Sequence, residues 1–407
     1  MRHLLLALLL AQTVCAQNTD PFPTPPNQKG LQVQMVDDAL ALGIHHAGIN
    51  VNLTALFDAK SKAESNEFVF NQGYLASLDR QIKPLSDKGV LVYLILIAYP
   101  SKNPAIDAVV LHPGHRQDYK FSVGAVNTTN GFLDAVMNLL AERWSGAHPE
   151  NGRVWGWIVG NEVNSHFLWN NMGLVPLETA ASEYEKAYRI MHTAIRRHSQ
   201  NARTYLSSDH HWSSSMHNVS AQEATPGRDF LDTFARLVRE RGDFDWNVAW
   251  HPYPEDLGNP RAWADKTVTH ADSTNKVTFK NLEVLPKHLA APEFLFNGKQ
   301  RRIILSEQGF HTLLTPDGER LQAAAYVYAW EKIQTLPTVD AFIYHRHVDH
   351  AKEGGLRLGL WRNAPNSIAT PHSTKLIYEL FKKAGTPEWR AAADALLPVT
   401  GMKAWNE

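Results

Sequence analysis

The clearest indication of the fold is the run at 154–164, Val154-Trp155-Gly156-Trp157-Ile158-Val159-Gly160-Asn161-Glu162-Val163-Asn164. It is an apolar run that ends abruptly in Asn161-Glu162, and such a run predicts a buried β-strand with the glutamate at its carboxyl end. A second apolar run, Arg302-Ile303-Ile304-Leu305-Ser306-Glu307-Gln308-Gly309, ends in a glutamate in the same way. Two glutamates at strand ends predict a pair of carboxyl groups of the kind that cleaves a glycosidic bond.

Apolar, strand-like runs alternate with amphipathic helical stretches along most of the chain, which is typical of a parallel sheet covered by helices. Eight strands are predicted, at 43–51, 68–70, 90–98, 154–162, 204–208, 247–253, 303–307 and 341–345. Helices are predicted at 74–88, 129–144, 180–198, 228–241, 320–335 and 373–383. This order predicts an α/β fold, a single (β/α)8 TIM barrel whose active site lies at the carboxyl ends of the strands.

Alternation along each strand predicts which side chains face the barrel interior. The residues that share a face with Glu162 are small or branched: Gly160, Ile158 and Gly156. The opposite face, expected to lie under helices, carries larger residues: Val159, Trp157 and Trp155. The same rule places Ile303 and Leu305 on the side of Glu307. Both carboxyl groups are then expected to face the mouth of the barrel.

The start of the chain has the features of a secretory signal peptide. Residues 1–16 place Arg2 before an apolar run and end in small residues, and the run is too short to span a bilayer. The only cysteine, Cys15, lies inside this segment, so the cleaved chain is expected to have no thiol. The remaining divisions are a linker or N-terminal extension at 17–30, the barrel at 31–390 and a C-terminal tail at 391–407. Secretion or export to the periplasm, most simply in a bacterium, is expected.

The charge of the chain limits the kinds of partner. Lysine and arginine number 40 and aspartate and glutamate 41, giving a formal net charge of −1. Nucleic acids and membrane surfaces attract proteins with a basic excess, so neither is an expected partner. A neutral or weakly charged substrate is expected instead.

Several motifs resemble the clan A retaining glycoside hydrolases. They are the Asn161-Glu162 dipeptide after the predicted fourth strand, Glu307 after the seventh, and Trp250-His251-Pro252-Tyr253 after the sixth. The segment 68–97 also resembles the corresponding part of β-xylosidase-type barrels, and the sequence at 43–52 is similar to the start of a bacterial barrel family of undefined function. The resemblance covers the barrel, and no sugar is carried over from it.

The resemblance implies a role for each motif. Glu162 would be the general acid and then base, Glu307 the nucleophile, Asn161 a partner of the sugar 2-hydroxyl and Tyr253 a donor to Glu307. One carboxyl must keep its proton while the other stays ionised. A retaining enzyme holds the two roughly 5 Å apart, a gap that sequence does not measure. The alternative to these catalytic roles is structural: each glutamate caps a helix or pairs with an arginine, and Tyr253 is a packed core residue.

Histidines also concentrate near the predicted strand ends, at 45–46, 210–211, 251 and 345–350. A metal-dependent hydrolase on the same barrel would gather imidazoles there. Residues 45 and 46 are adjacent and point to opposite faces, so they do not form the His-Xaa-His pair of such sites. We therefore expect no metal or other cofactor. His210, His251 and His345 are assigned to sugar hydroxyls, with support of the turn at Pro252 as the alternative for His251.

Aromatic and basic side chains at the predicted mouth suggest further contacts with substrate. Four tryptophans follow strands in loops: Trp169, Trp212, Trp263 and Trp361. Flat aromatic faces suit the C–H side of a sugar ring, and Trp361 is selected as such a platform, with a buried loop anchor as the alternative. In clan relatives the eighth strand often ends in tryptophan, whereas here Tyr344-His345-Arg346 occupies that place. Arg346 suggests an acidic or sulfated sugar.

The sequence therefore predicts a retaining glycoside hydrolase that acts on a β-linked oligo- or polysaccharide. One alternative is a metal-dependent hydrolase built from the strand-end histidines. Another is a non-catalytic carbohydrate-binding barrel, which would bind sugar without either glutamate. The sequence leaves undecided the identity of the sugar, internal or terminal cleavage, and the oligomeric state.

Overall fold

The computed structural model describes residues 17–116 and 123–405. At its centre, eight parallel strands form a closed barrel in chain order, and the eighth strand pairs with the first. The barrel strands are β1 (Lys29–Gln32), β2 (His46–Asn52), β3 (Leu91–Ile97), β4 (Gly156–Val159), β5 (Arg203–Ser208), β6 (Trp246–Trp250), β7 (Ile303–Leu305) and β8 (Val339–Tyr344). The predicted (β/α)8 barrel is confirmed.

Helices cover the outside of the barrel. In the described ranges they are α1 (Val36–Ala41), α2 (Leu53–Leu56), α3 (Gln72–Asp87), α4 (Pro104–Val110), α5 (Phe132–Arg143), α6 (His166–Trp169), α7 (Leu177–His198), α8 (Gly227–Glu240), α9 (Val284–His288), α10 (Gly318–Gln334), α11 (Leu376–Lys383), α12 (Trp389–Asp394) and α13 (Leu397–Thr400). A short antiparallel pair, β9 (Trp361–Asn363) and β10 (Pro371–Thr374), follows β8. The six predicted helices are confirmed, each with ends within three residues.

One predicted strand was wrong and one real strand was missed. The segment 68–70 contributes only an isolated antiparallel bridge between Phe57 and Phe70. The first barrel strand is β1, which begins two residues before the expected barrel boundary at 31. Its signal was the alternation of Leu31 and Val33 with polar neighbours. Because the false strand replaced the missed one in the count, the two glutamates still follow β4 and β7.

The barrel interior and its helix-covered exterior hold separate apolar clusters. Ile158 of β4 lies inside, whereas Trp157 and Val159 pack outward, as the alternation predicts. Position 156 requires glycine, because a Cβ atom on Gly156 would lie 1.9 Å from the ring of Tyr93 on β3. Side chains from different strands therefore fill the interior at the same level, which makes it a packed core.

The predicted facing of β7 was wrong by one residue. Ile304 lies in the interior cluster, and Ile303 and Leu305 lie in the exterior one. The register between β7 and β8 shifts at Ile303, and β7 ends at Leu305, so strand alternation does not extend to Glu307. Ser306 points inward, and Glu307 reaches the mouth from the loop beyond the strand.

The segment before β1 packs against the amino-terminal end of the barrel. The ring of Phe22 meets Trp155 edge-on at 5.6 Å, and the guanidinium of Arg203 lies 3.8 Å from the centre of the Phe22 ring. Trp155 was expected to face the helices, but it lies inside because β4 begins only at Gly156. The expected signal peptide, residues 1–16, lies outside the described residues. Among the residues described, none of the helices has the length and apolar character needed to cross a membrane.

Candidate active site

The two strand-end glutamates converge at the mouth of the barrel. One carboxylate oxygen of Glu162, one of Glu307 and one ring nitrogen of His251 all lie within 4.8 Å of one another. Retaining glycoside hydrolases hold their two carboxyl groups roughly 5 Å apart. Inverting enzymes hold them farther apart, because a water molecule must fit between the sugar and the base.

A tight backbone turn directs Glu162 into the mouth. After β4 ends, Gly160 has φ +74° and Glu162 has φ +43°, both in the left-handed region. This conformation is uncommon for a residue with a side chain and persists where the surroundings hold it. Here the backbone N–H of Glu162 donates a hydrogen bond of 3.0 Å to Ser207 Oγ at the end of β5. The turn therefore depends on contact with the neighbouring strand.

His251, just after β6, links Glu162 to two neighbouring strand ends. Its Nδ1 lies 2.9 Å from Glu162 Oε1. Its Nε2 lies 2.9 Å from Ser306 Oγ and 3.3 Å from Ser207 Oγ. Since the ring is buried and held at both nitrogens, it fixes the orientation of the Glu162 carboxyl group and leaves Glu162 Oε2 for another partner.

Glu307 is held by donors from β1 and from the loop after β6. The hydroxyl of Tyr253 donates to Glu307 Oε1 at 3.2 Å, and the amide of Gln32 donates to Glu307 Oε2 at 3.4 Å. The amide oxygen of Gln32 in turn lies 2.7 Å from Nδ1 of His345, whose Nε2 lies 2.9 Å from a carboxylate oxygen of Glu353. The nucleophile candidate therefore lies at one end of a polar chain along β1 and β8.

The surroundings shift the proton affinity of Glu162 upward. Burial raises the pKa of its carboxyl group, and the negative charges of Asp209 and Glu307 add to the rise, while the hydrogen bond and charge of His251 oppose it. Burial acts to lower the pKa of His251, but its carboxylate neighbours raise it above the usual value. Together the two groups keep a proton to higher pH than ordinary side chains would.

Glu307 is shifted in the opposite direction. Burial acts to raise the pKa of its carboxyl group, and Glu353 adds to this, but the imidazoles of His345 and His251 and the hydrogen bond from Gln32 outweigh both. The pKa of Glu307 therefore lies below its ordinary value. One carboxyl group that keeps its proton beside one that loses it readily is the division of labour expected of an acid and a nucleophile.

Two further predicted site residues, Asn161 and His210, differ in their surroundings. Asn161 is nearly buried beside Glu162, and its side chain makes no hydrogen bond within residues 17–116 and 123–405, so its amide is available at the mouth. His210 is buried and its Nδ1 lies 3.1 Å from the backbone oxygen of Tyr253. Burial lowers the pKa of His210 to about 3. His210 is thus a neutral support for the Tyr253 loop.

Arg346 and Trp361 already have partners in the protein. Arg346 forms an ion pair with Glu353, which compensates its charge. The indole N–H of Trp361 donates to Asp38 at 3.0 Å, and its ring packs edge-on against Tyr378 at 5.6 Å. These contacts favour the loop-anchor alternative for Trp361 and remove the basis for an acidic sugar at Arg346.

Sequence reasoning missed several residues of the site. Gln32 was missed because no strand was predicted before residue 43, and Ser306 was missed because the predicted facing of β7 was wrong. Glu353 lies in the loop after β8 and carries no local signal. Tyr99, after β3, is 42% exposed. Burial and the charge of Glu307 raise its pKa, which indicates that its phenol group lies near the mouth.

Within residues 17–116 and 123–405, several strand-end histidines lie apart from one another, unlike the cluster that the metal-dependent alternative requires. His46 lies inside the barrel between Tyr93 and a backbone oxygen, and His347 is bound to Asp38. Among the described residues, only Glu162, His251 and Glu307 have the spacing of metal ligands. Any metal would therefore occupy the same site as the carboxyl pair.

The fold and the site define the class of this protein: it is a (β/α)8 barrel that holds a glutamate after β4, a glutamate after β7 and a buried histidine beside them. Within that class, residues 21–407 match DUF5722, described as a family of unknown function. The chain belongs to this family. No curated protein sequence matches the chain.

Solved structures with a similar fold include a family 39 glycoside hydrolase from the gut symbiont Bacteroides cellulosilyticus, with a TM-score of 0.56 and 12% identity over 92% of this chain. A glucosidase from Croceicoccus marinus has a TM-score of 0.54 and 12% identity over 91% of this chain. This chain spans only 64% and 66% of those two proteins. A hyperthermophilic β-glucosidase from Pyrococcus furiosus has a TM-score of 0.56 and 13% identity, covering 89% of this chain and 86% of its own. These similarities confirm the clan A resemblance at the level of the fold.

Proposed function

We propose that this protein is a retaining glycoside hydrolase that cleaves β-linked oligo- or polysaccharides. The observation that carries the proposal is the convergence of Glu162 and Glu307 within 4.8 Å, with pKa shifts in opposite directions. The fold it shares with glycoside hydrolases supports the proposal. Export across a membrane, expected from residues 1–16, fits an enzyme that meets polysaccharides outside the cytoplasm.

The first half of the proposed reaction forms a covalent intermediate. A Glu307 oxygen attacks the anomeric carbon, and the bond from that carbon to the leaving oxygen breaks. The electron pair goes to the leaving oxygen, which takes the proton of Glu162. His251 occupies Glu162 Oε1, so the proton is delivered from Oε2. In this proposal the amide of Asn161 hydrogen-bonds the 2-hydroxyl of the reacting sugar.

The second half returns the enzyme to its starting state. Glu162, now ionised, takes a proton from water as the water oxygen attacks the anomeric carbon, and the ester bond to Glu307 breaks. Two inversions leave the anomeric configuration unchanged. Tyr253 and Gln32 hold the Glu307 carboxylate in place during both steps.

The proposal is tested by incubating the purified protein with a panel of 4-nitrophenyl β-glycosides and plant or algal polysaccharides. The product released first is followed by NMR. Cleavage that initially yields the β-anomer supports the proposal. An α-anomer as the first product would contradict retention. No cleavage of any substrate in the panel, together with sugar binding that survives loss of both glutamates, would favour the non-catalytic alternative.

A metal-dependent hydrolase remains a second candidate because Glu162, His251 and Glu307 have the spacing of metal ligands. Two carboxylates and one imidazole are a donor set that zinc accepts. Elemental analysis of the purified protein separates the two candidates. A stoichiometric metal whose removal by a chelator abolishes activity would favour the metal-dependent mechanism.

The plot of kcat/KM against pH should fall on both the acidic and the alkaline side, because the reaction needs Glu307 ionised and Glu162 protonated. The lowered pKa of Glu307 places the acidic limb of kcat/KM below the ordinary glutamate value of 4.5, and the raised pKa of Glu162 places the alkaline limb above it. In His251→Asn both limbs should move to higher pH, since His251 lowers the pKa of both carboxyl groups. The measurement is kcat/KM against pH with an aryl glycoside.

The matched control is His288→Asn. His288 lies on α9 and bridges Asp232 and Asp272 at 2.8 and 3.0 Å. Its replacement should leave both limbs in place. Limbs that also stay in place in His251→Asn would mean that this imidazole does not set the protonation of the carboxyl pair.

A further inference from the structure

A notch opens in the rim of the barrel beside the nucleophile candidate. The last hydrogen bond from β1 to β2 joins Val33 N–H to Gly48 O at 3.1 Å, and β2 then continues to Asn52 paired only with β3. The space left by β1 forms a cavity of about 410 Å³. Polar side chains that line this β1–β2 notch include those of Gln32, Gln34, Asn50, Arg346 and His350. Its volume falls within the roughly 300–1,000 Å³ typical of small-ligand sites.

The notch adjoins the catalytic centre on the nucleophile side. Gln32 lines the notch and also donates to Glu307. Glu162 follows β4, which lies opposite β8 in the barrel, three strands from β1 and two from β2. In the proposed reaction the leaving group departs on the side of Glu162, while the retained sugar becomes bonded to Glu307. The notch therefore lies where the chain beyond the retained sugar would extend.

The groups in the notch suit sugar hydroxyls. Asn50 is exposed and its side chain has no hydrogen-bond partner among the described residues, so it offers a donor and an acceptor. Gln34 donates its amide N–H to a backbone oxygen at 2.7 Å, which leaves its amide oxygen as an acceptor. His350 Nδ1 accepts from Lys352 N–H at 3.3 Å, so the neutral ring presents Nε2–H as a donor.

The notch is close to electrically neutral. Among the described residues that line it, Arg346 is the one arginine, and its ion pair with Glu353 compensates its charge. Burial and the nearby charge of Arg346 lower the pKa of His350, which keeps that ring uncharged near neutral pH. An acidic sugar would find no uncompensated cation among these groups, whereas an uncharged sugar finds both donors and acceptors.

We propose that the β1–β2 notch binds a second, uncharged sugar unit on the non-reducing side of the unit that reacts with Glu307. This rests on the proposed glycosidase function and defines its substrate as an oligo- or polysaccharide with at least two neutral sugars before the cleaved bond. Asn50 is the residue expected to contribute most to recognition, because its amide has no partner in the protein.

The test compares kcat/KM for matched aryl glycosides: 4-nitrophenyl β-glucoside with β-cellobioside, and 4-nitrophenyl β-xyloside with β-xylobioside. In the unaltered protein, kcat/KM for the disaccharide of the better pair should exceed kcat/KM for the matching monosaccharide by about tenfold or more. Asn50→Ala should lower that ratio about tenfold, mainly by raising KM for the disaccharide. Gln34→Ala, a second variant at an exposed position, should lower it in the same direction.

Gln334→Ala is the matched control, since it removes an exposed amide at the end of α10, beside Gln28 at the opposite end of the barrel. It should leave the ratio unchanged. Equal rates on mono- and disaccharides in the unaltered protein would overturn the notch proposal while glycosidase activity stands. So would a preference for a disaccharide ending in a uronic acid. Failure to cleave any probe would instead overturn the proposed function, and the notch proposal with it.

Discussion

Replacing the nucleophile candidate, Glu307→Gln, is expected to reduce kcat on an aryl β-glycoside about 10⁴-fold or more. The amide keeps the size of the carboxylate and an acceptor for the Tyr253 hydroxyl, which lies 3.2 Å from Glu307 Oε1. It carries no charge and cannot form the ester bond to the anomeric carbon. The loss should therefore appear in kcat, with the fold intact by circular dichroism and thermal unfolding.

Glu331→Gln is the matched control for this change. Glu331 lies on α10 and accepts from the indole N–H of Trp389 at 2.7 Å, outside the mouth. Its activity should stay within about twofold of the unaltered protein, as expected for a change remote from the site. Activity of Glu307→Gln in that same range would end the assignment of Glu307 as nucleophile.

Replacing the acid candidate, Glu162→Ala, is expected to give a loss that depends on the leaving group. For substrates whose leaving group needs a proton, kcat/KM should fall about 10²–10⁴-fold, the usual contribution of general acid catalysis. A 2,4-dinitrophenyl glycoside needs no proton, so formation of its glycosyl-enzyme should be largely spared. Hydrolysis of that intermediate should be slow, because no base activates the water.

Azide provides the sharpest readout for Glu162→Ala. The small anion can enter the space left by the carboxyl group and attack the glycosyl-enzyme without a base. Added azide should therefore accelerate turnover of the dinitrophenyl glycoside and yield a β-glycosyl azide. An equal loss of kcat/KM on substrates with good and poor leaving groups, with no azide product, would show that Glu162 is not the acid and base. Since Glu162→Ala also removes the partner of His251, thermal unfolding should confirm that the variant is folded.

Much of the fold could be predicted from the sequence because its signals are local. The buried strand ending in Glu162, the strand ending near Glu307 and the six helices all follow from hydrophobic periodicity. The errors arose where the local pattern was weak. The strand β1 has only four residues, and β7 ends before Ser306, so extending its alternation gave the wrong face.

The pattern of apolar residues alone predicts that strands and helices alternate, that eight strands form a barrel, and that two glutamates follow strands. Which side chains surround the two glutamates depends on how the distant segments pack together. Gln32 and Glu307 are 275 positions apart, yet they meet because β8 pairs with β1 and closes the barrel. His251 reaches Glu162 across 89 positions because β5 pairs with both β4 and β6. Local periodicity encodes where a strand ends, but the proton affinity of a carboxyl group depends on neighbours that only the pairing of the strands in the barrel brings within a few ångströms.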